Sequence, residues 1–578
     1  MNFQLCKLVV SQRPSPYARA FHSSAIKRSS TSGNNSKFTL KKKTTSGSNE
    51  QLGKSGSESE SKQPKTPVRA RFAPSPTGLL HLGSLRTALY NYLIAKSTSG
   101  QFLLRLEDTD QKRLVEGAEK NIYDTLKWLG VKIDEGPEEG GPHAPYRQSE
   151  RTDIYAGYAT KMLNNGSAYR CFCSKERLDG LRDSARLLKP PTTVSYDRHC
   201  LNHHTKEESD LKAANGEEYT IRFKSPERYP VFTDLLHGTI NHQPQVNPFD
   251  KRYDDPILVK SDKLPTYHFA NVIDDHLMKI THVVRGEEWL ASTAKHIAMY
   301  DAFGWSKPDF IHIPLLTTTE DKKLSKRSGD IDILSLKSKG YLAEALINFS
   351  SLFGWSPKRE HGEKMKEFFS LKDLEKNFNI DGLTIGNAKV DFRKLDYFNK
   401  YYLSEKLKNN KAFFDESLIK IQDLINSKYE YLNLSNEYLN KILTNFGPTL
   451  TKLNDIQNKE FEYLFVTPNN YQEPLNLFLS KNVKKIENIS DIVKSVLTDV
   501  RNVDDGVLLN NLDQTLNEIT QNTAEKFSIE NLPKRIIFQT VRLAVSAGNP
   551  GVSLPIMIDM LGVNELKLRI DLLLKELD

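Results

Sequence analysis

One short stretch near the front of the chain constrains the fold most strongly. Residues 71–84 have the sequence RFAPSPTGLLHLGS and follow a run of β-favouring residues that begins at Val68. The prolines within residues 74–78 end the predicted strand, because proline has no N–H to donate. Beyond them, apolar side chains recur at helical spacing. These side chains are Leu82, Leu85, Ala88, Leu89, Tyr92 and Leu93. The stretch therefore predicts a strand, a loop and a helix that ends at residues 97–100.

The start of this predicted helix suits a phosphate group. A helix N-terminus offers backbone N–H groups without partners and the positive end of the helix dipole. His81 lies at this end, and Gly83 leaves room for a ligand close to the backbone. A short His-Leu-Gly motif also occurs in ordinary strand–helix turns, so the motif alone does not decide the function.

The segments that follow predict a parallel sheet. Residues 101–106 are apolar and short, as a central parallel strand would be, and they lead into Glu107. Helices are predicted at residues 114–129 and 152–164. Because ligands of doubly wound sheets bind beyond the carboxyl ends of the strands, Glu107 is a candidate site residue.

Residues 169–256 are irregular and polar, which indicates an insertion between two halves of a nucleotide-binding fold. The insertion contains Cys171, Cys173 and Cys200, residues of the type that bind zinc. Asn202 falls where the fourth ligand is expected, although His203 could replace it. This mismatch favours reduced cysteines in a lobe without metal, and we predict no metal site.

The sheet pattern resumes at residues 257–260. In residues 265–276, a helical turn would bring Tyr267 and Asn271 onto one face, since they are four residues apart. Residues 283–289 have the pattern of a strand that leads into a helix. Farther along, an apolar segment at residues 311–316 precedes the lysine-rich residues 321–327, which alone would indicate only a solvated loop.

Charge is distributed unevenly along the chain. The 578 residues carry a formal net charge of +8. Residues 1–49 contain nine Lys and Arg and no Asp or Glu, so the rest has 72 basic and 73 acidic residues. The basic charge is therefore no indication of an RNA-binding body. This Arg- and Ser-rich leader is typical of a mitochondrial transit peptide, with a disordered basic tail or a nuclear signal as alternatives.

Cysteine content and apolar runs exclude two further classes. Four cysteines argue against a disulfide framework and for a reducing compartment. No apolar run has the length needed to span a bilayer, so we predict no membrane partner.

In their order along the chain, these segments resemble the class I aminoacyl-tRNA synthetases. Residues 81–84 resemble the first signature of the class and residues 323–327 the second. Residues 73–78 and 107–110 have the form of the bacterial-type glutamyl-tRNA synthetases. Ser84 departs from the general first signature, which ends in histidine, but the glutamyl branch commonly has a small residue there. The resemblance covers residues 68–578 and is weak between 405 and 520.

The resemblance implies an α/β Rossmann-type catalytic domain with an inserted α+β connective domain, followed by an all-α anticodon-binding domain. Residues 1–66 would be the transit peptide and a disordered linker. The remaining domains would be the first catalytic half at 67–168, the insertion at 169–256, the second catalytic half at 257–330, a stem-contact region at 331–390 and the anticodon-binding domain at 391–578.

The resemblance also implies the roles of individual residues. His81, Lys323 and Lys326 would be catalytic, because they would stabilise the charge that develops on the phosphates. Arg71 and Arg285 would bind the side-chain carboxylate of glutamate through paired N–H donors. The full glutamate pocket would be Arg71, Phe72, Ala73, Ser75, Glu107, Tyr267, His268, Asn271 and Arg285. ATP, with Mg²⁺, would contact His81, Gly83, Glu288, Lys323, Leu324, Ser325, Lys326 and Arg327.

The expected reaction is ATP-dependent activation of L-glutamate and its transfer to tRNA(Glu) in the mitochondrial matrix, by a monomeric enzyme. Organelles with bacterial-type glutamyl enzymes commonly lack a glutaminyl enzyme, so tRNA(Gln) is an expected second substrate. The alternatives are a glutaminyl-tRNA synthetase, a truncated paralogue that glutamylates a modified base, and an inactive RNA-binding relative. The glutamyl forms of the motifs, the length of the chain, and the presence of His81 and Lys326 disfavour these alternatives.

Overall fold

The first strand and helix form as the sequence predicts. In the computed structural model, which describes residues 61–322, 332–358, 366–430, 432, 434–483 and 486–578, strand β1 spans Arg69–Phe72 and helix α1 spans Leu82–Ser97. The apolar residues predicted on the inner face of α1 are all buried. After the helix, Gly100 approaches β1 so closely that a Cβ there would lie 2.0 Å from the Val68 carbonyl oxygen.

The first 320 residues contain both strands and helices. The remaining strands are β2 (Gln101–Leu104), β3 (Ala168–Cys171), β4 (Thr220–Phe223), β5 (Phe232–Asp234), β6 (Gly238–Ile240), β7 (Ile257–Val259), β8 (His282–Gly286), β9 (Asp309–Ile313) and β10 (Leu316–Thr317). The helices are α2 (Ala118–Trp128), α3 (Thr152–Asn164), α4 (Lys175–Leu187), α5 (His199–His203), α6 (Lys206–Ala214), α7 (Tyr267–Leu277) and α8 (Leu290–Phe303).

Beyond residue 331 the described chain is almost entirely helical. One short strand, β11 (Ala388–Lys389), pairs with β10. The helices are α9 (Ile333–Ser338), α10 (Ala343–Ser351), α11 (Leu371–Asn377), α12 (Phe392–Asn409), α13 (Lys411–Lys428), α14 (Asn436–Phe446), α15 (Gln472–Asn482), α16 (Ile489–Asn502), α17 (Asp505–Asn510), α18 (Leu512–Lys526), α19 (Lys534–Ser546), α20 (Leu554–Leu561) and α21 (Val563–Lys575).

Two pairs of parallel strands meet near residue 69. β1 and β2 pair in parallel, and β8 and β9 pair in parallel within a sheet of order β6-β5-β9-β8. The N–H of Thr281, just before β8, donates to the Arg69 carbonyl oxygen at 3.0 Å. β1 and β8 therefore start side by side, and their carboxyl ends lie at one edge, where ligands of a doubly wound fold bind.

Residues 169–256 are divided between two sheets. β3, β4 and β7 form a separate antiparallel sheet. β5, in contrast, pairs in parallel with β9 at Asp234 and Phe310, and β6 adds an antiparallel edge strand. The segment predicted as an insertion therefore also supplies two strands to the catalytic sheet.

The C-terminal helices bury a core of their own. Ile442, Phe446, Val496, Ile537 and Leu573 are completely buried in one apolar cluster. This matches the predicted all-helical C-terminal part. Of the helices in the described ranges, none is long and apolar enough to cross a membrane.

Candidate active site

A cleft of about 780 Å³ opens at the carboxyl ends of β1 and β8. The first turn of α1 and the start of α7 complete its walls. Most of the predicted site residues line it. They are Arg71, Phe72, Ala73, Ser75, His81, Gly83, Glu107, Tyr267, Asn271, Arg285 and Glu288. The structure thus brings together residues separated by more than 200 positions.

Six predicted residues are not placed on the cleft wall. His268 lies behind it, with its Nδ1 2.8 Å from Nε2 of His296, because it follows Tyr267 on α7 and is turned away from the cleft. The other five, in the second signature, lie outside the described residues. These are Lys323, Leu324, Ser325, Lys326 and Arg327.

His81 caps the helix that the first signature begins. Its Nδ1 accepts a hydrogen bond from the Ser84 N–H at 3.3 Å, and its Nε2 lies 3.0 Å from the Ser84 hydroxyl. A Cβ at Gly83 would lie 3.2 Å from the imidazole, so a larger residue would crowd the ring. Small residues at both positions therefore hold the imidazole against the helix start.

The chain returns to His81 directly after the second signature. Asp332, the first described residue beyond that segment, forms an antiparallel bridge with His81. The Ile333 N–H donates to the Leu80 carbonyl oxygen at 3.1 Å. The described chain that follows the second signature therefore pairs with the first signature at Leu80 and His81.

Arg71 belongs to a balanced network of buried charges. Its Nε donates to Oδ1 of Asp275 at 2.9 Å. Arg105 donates to the same Asp275 oxygen at 2.6 Å and to Glu107 at 3.1 Å, and Arg151 donates to Asp274 at 2.8 Å. Three guanidinium groups thus contact three carboxylates. Such fully paired buried charges fix the positions of the side chains around the cleft.

Glu107 presents a buried carboxylate to the cleft. Its Oε1 accepts from Arg105 and, at 3.2 Å, from the Asn271 amide. Burial raises the pKa of Glu107, while the guanidinium groups of Arg105 and Arg71 oppose that shift. A ligand ammonium would stabilise the ionised carboxylate here.

Arg285 is buried in neutral surroundings. Its guanidinium is hydrogen-bonded to Nε2 of His312 at 3.1 Å, to the Thr293 hydroxyl at 2.7 Å and to Nδ1 of His296 at 3.3 Å. In the described parts of the chain, no carboxylate lies within 4.0 Å of it. Burial lowers the pKa of Arg285, and Tyr267 and Asp275 oppose that shift only in part. Arg285 thus places at the cleft a buried cation whose hydrogen-bond partners are neutral, and an anionic ligand would pair with it.

Several residues of this site were not predicted from the sequence. Asp275 lies four residues after Asn271, so the helical spacing that linked Tyr267 and Asn271 also indicates Asp275. Asp234 and His312 support Arg285 from behind, and local sequence has no signal for either.

The three cysteines of the predicted insertion form a second cluster. The sulfur atoms of Cys171, Cys173 and Cys200 lie within 4.8 Å of one another. The Tyr196 hydroxyl lies 3.3 Å from the Cys171 sulfur and 3.7 Å from the Cys173 sulfur. His203, the expected substitute ligand, is instead exposed, with its ring stacked on His199. The fourth donor beside the thiols is therefore Tyr196, which the spacing argument missed.

Comparison with known families agrees with this geometry. The family model "tRNA synthetases class I (E and Q), catalytic domain" matches residues 67–397, and "Anticodon binding domain" matches residues 413–574. The fold and the cleft thus define a class I aminoacyl-tRNA synthetase, as predicted.

Similar proteins identify the branch of the class I synthetases to which the chain belongs. A mitochondrial glutamate–tRNA ligase of Saccharomyces cerevisiae is 53% identical over 503 residues, which are 87% of this chain and 89% of that protein. A glutamate–tRNA ligase of Clostridioides difficile is 48% identical over 58% of this chain and 68% of its own. The crystal structure of a glutamate–tRNA ligase from Elizabethkingia meningosepticum, in complex with its amino acid, superposes with a TM-score of 0.73 at 33% identity, over 89% of this chain and all of that one. The chain belongs to the glutamate–tRNA ligase family of class I synthetases, which confirms the predicted enzyme class.

Proposed function

We propose that this enzyme activates L-glutamate with ATP in the mitochondrial matrix and transfers it to tRNA. In the first step, a glutamate α-carboxylate oxygen attacks the α-phosphorus of ATP and pyrophosphate leaves. In the second, a hydroxyl of the terminal adenosine of tRNA attacks the carbonyl carbon of the adenylate and AMP leaves. Neither step needs a protein nucleophile, so positioning and charge stabilisation supply the rate.

The pairing of charges in the cleft carries this proposal. Arg285 is a buried cation without a carboxylate partner in the described chain, and Glu107 is a buried anion on the facing strand end. Glutamate offers the complement, because its side-chain carboxylate suits Arg285 and its α-ammonium suits Glu107. Arg71, Tyr267 and Asn271 line the space between them. A neutral amide in place of the carboxylate would leave the Arg285 charge buried and unpaired, which disfavours glutamine.

ATP would lie on the other side of the cleft. His81 at the start of α1 would donate to the phosphates, and Glu288, whose carboxylate lies against Gly286, would contact the ribose. Lys323 and Lys326 would reach the triphosphate from the second signature. In the described ranges, the one cluster of metal-ligand residues consists of cysteines outside the cleft. Mg²⁺ would therefore be held mainly by the ATP phosphates, as is usual for this ion, and would neutralise their charge.

ATP–pyrophosphate exchange tests the amino-acid specificity. We expect exchange with glutamate and at most traces with glutamine, and the family resemblance predicts that exchange requires tRNA. Equal exchange with glutamine, or none with glutamate in the presence of tRNA, would contradict the proposal.

The location rests on two observations. The leader has nine cations and no acids in residues 1–49, and the relative from Saccharomyces cerevisiae is named as mitochondrial. Together they favour import and a substrate tRNA encoded in the organelle.

The proposed tRNA substrates include tRNA(Gln) as well as tRNA(Glu), charged by a monomer. The two anticodons differ in the third position, which is C in tRNA(Glu) and G in tRNA(Gln). Discrimination therefore needs a side chain of the C-terminal helices that accepts one base edge and rejects the other. The test is aminoacylation of both purified organellar tRNAs with labelled glutamate. Charging of tRNA(Glu) alone would show a discriminating enzyme and would leave glutamate activation intact.

A further inference from the structure

Behind Arg285 lies a completely buried carboxylate that four donors hold in place. Asp234, on β5, accepts from the N–H groups of Leu236 and His237, each at 2.9 Å. Its other oxygen accepts from the His312 N–H at 3.1 Å and lies 2.7 Å from His312 Nδ1. Asp234 and His312 are both 0% exposed. A carboxylate with this many donors is fixed in orientation and acts only as an acceptor.

This carboxylate determines which nitrogen of His312 carries the proton. Because Asp234 accepts, Nδ1 of His312 must donate, and in the neutral ring Nε2 must then be an acceptor. Burial lowers the pKa of His312 to about 4, which keeps the ring neutral at physiological pH. The acceptor nitrogen faces Nε of Arg285 at 3.1 Å and the Thr293 hydroxyl at 3.0 Å.

We propose that Asp234 and His312 are positioning residues for Arg285. The imidazole fixes the plane of the guanidinium, while it keeps the Asp234 charge one ring away, so the Arg285 charge stays available for the substrate carboxylate. This inference rests on the proposed role of Arg285 in binding glutamate.

Arg71 shows how a direct contact with a carboxylate differs from the contact of Arg285 with His312. Its guanidinium contacts Asp275 directly at 2.9 Å, so its charge is already paired. A direct Asp234–Arg285 pair would remove the charge that selects glutamate. An imidazole with the opposite tautomer would point an N–H at the Nε–H of Arg285. Because two donors cannot hydrogen-bond to each other, the guanidinium would have to rotate away.

A matched pair of substitutions at His312 tests the effect of its acceptor atom, Nε2, on Arg285. In His312→Gln, the side-chain oxygen reaches the place of Nε2 and still accepts from Arg285. In His312→Asn, the shorter amide reaches only Asp234. Because a hydrogen bond to a charged group is lost, we expect His312→Asn to raise the KM for glutamate about tenfold or more, and His312→Gln about threefold or less. The KM for ATP should stay within about twofold in both variants.

Asp234→Asn is a second, independent test. It removes the acceptor that fixes the tautomer, and we expect about a tenfold rise in the KM for glutamate and a smaller preference for glutamate over glutamine. His282→Asn is the control, since His282 lies buried on β8 with Arg285 but contacts Thr281 and Asp309 instead. Its kinetics should match those of the wild type.

The outcomes separate this inference from the proposed function. Equal glutamate KM values for the folded Asn and Gln variants of His312, or parallel losses for glutamate and ATP, would overturn the positioning role. If Asp234→Asn does not fold, the comparison of His312→Asn with His312→Gln still tests the positioning role. If Arg285→Lys leaves kcat/KM for glutamate unchanged, the proposed glutamate site is wrong. If Arg285→Lys lowers kcat/KM but the His312 and Asp234 variants keep wild-type kinetics, the glutamate site is supported and the positioning role is wrong.

Discussion

Arg71 and Arg285 are both buried at the cleft, yet they differ in what neutralises them. Arg71 shares Asp275 with Arg105, whereas Arg285 contacts two imidazoles and a hydroxyl. Since a buried charge without a counter-charge is costly, a bound carboxylate would remove a desolvation cost at Arg285. At the scale of single residues, we therefore propose that Arg285, whose contacts are neutral, contributes most to the selection of glutamate.

The first prediction concerns the shape of that guanidinium. Arg285→Lys keeps the charge but loses the planar fork, so we expect kcat/KM for glutamate to fall about 100-fold, with the KM for ATP within about threefold. Steady-state pyrophosphate exchange measures both. Arg69→Lys is the control, because Arg69 lies on β1 but pairs with Glu135 away from the cleft.

The second prediction separates the capping role of His81 from its proposed catalytic role. His81→Asn retains a good helix N-cap, and His81→Ala does not, but both lose the imidazole. We expect both to slow adenylate formation about 100-fold or more, while only His81→Ala loses about 1 kcal/mol of stability. Single-turnover kinetics and denaturant titration measure the two effects. Near wild-type turnover in His81→Asn would remove His81 from the phosphate site.

The third prediction is a pH dependence of stability. Burial lowers the pKa of His268 from 6.5 to about 4 in the folded protein. Between these values the unfolded chain binds a proton that the folded chain does not, so stability falls as pH falls. We expect the Tm to decrease less between about pH 7.5 and about pH 5.5 in His268→Gln than in the wild type. Identical pH slopes in the two proteins would show that His268 is not the group that titrates.

At the scale of elements, β3 and α5 bring the three cysteines together. Tetrahedral zinc with Zn–S bonds of about 2.3 Å places its ligands roughly 3.8 Å apart. The sulfur atoms of Cys173 and Cys200 are 3.5 Å apart, and the Tyr196 oxygen lies at similar distances from two thiols. The prediction of a cluster without metal depended on a missing fourth ligand, and the fold supplies a fourth donor in Tyr196.

The fourth prediction follows from this geometry. We expect about one zinc ion per chain in purified protein, lost in Cys173→Ser and bound more weakly in Tyr196→Phe. Elemental analysis measures the ion, and chelation should lower the Tm because the ion joins β3 to α5. Tyr219→Phe is the control, since Tyr219 packs on Phe172 rather than on the thiols. Metal-free protein of unchanged Tm would restore the original interpretation.

Sequence predicted the elements that depend on local pattern. The helix expected after residue 81 and the helix at 152–164 form with nearly the expected bounds, because apolar periodicity and glycine stops are local signals. The cleft residues were predicted by resemblance. Asp234 could not be found, because it meets His312 only through the pairing of β5 with β9, across 78 residues. Tyr196 was missed because the spacing argument looked downstream of Cys200 for the fourth ligand.

At the scale of the whole molecule, charge is divided between the leader and the body. Beyond residue 49 there are 72 basic and 73 acidic residues. A body close to neutral binds tRNA through local patches rather than through a general positive field. The basic charge of the chain lies in its first 49 residues, which is the pattern expected of the proposed import signal.

The last prediction tests that leader. Residues 1–49 fused to a reporter should direct it into mitochondria, since import signals are basic, Ser-rich and free of acids. Changing Arg13, Arg19 and Arg28 to Glu keeps the length, lowers the net charge of the leader from +9 to +3 and interrupts it with acids, so this matched variant should leave the reporter in the cytosol. N-terminal sequencing of the native protein should find a start between Phe21 and about Ser36. An intact Met1 in the mitochondrial protein, or import of the Glu variant, would show that the leader is not a charge-dependent, cleaved signal.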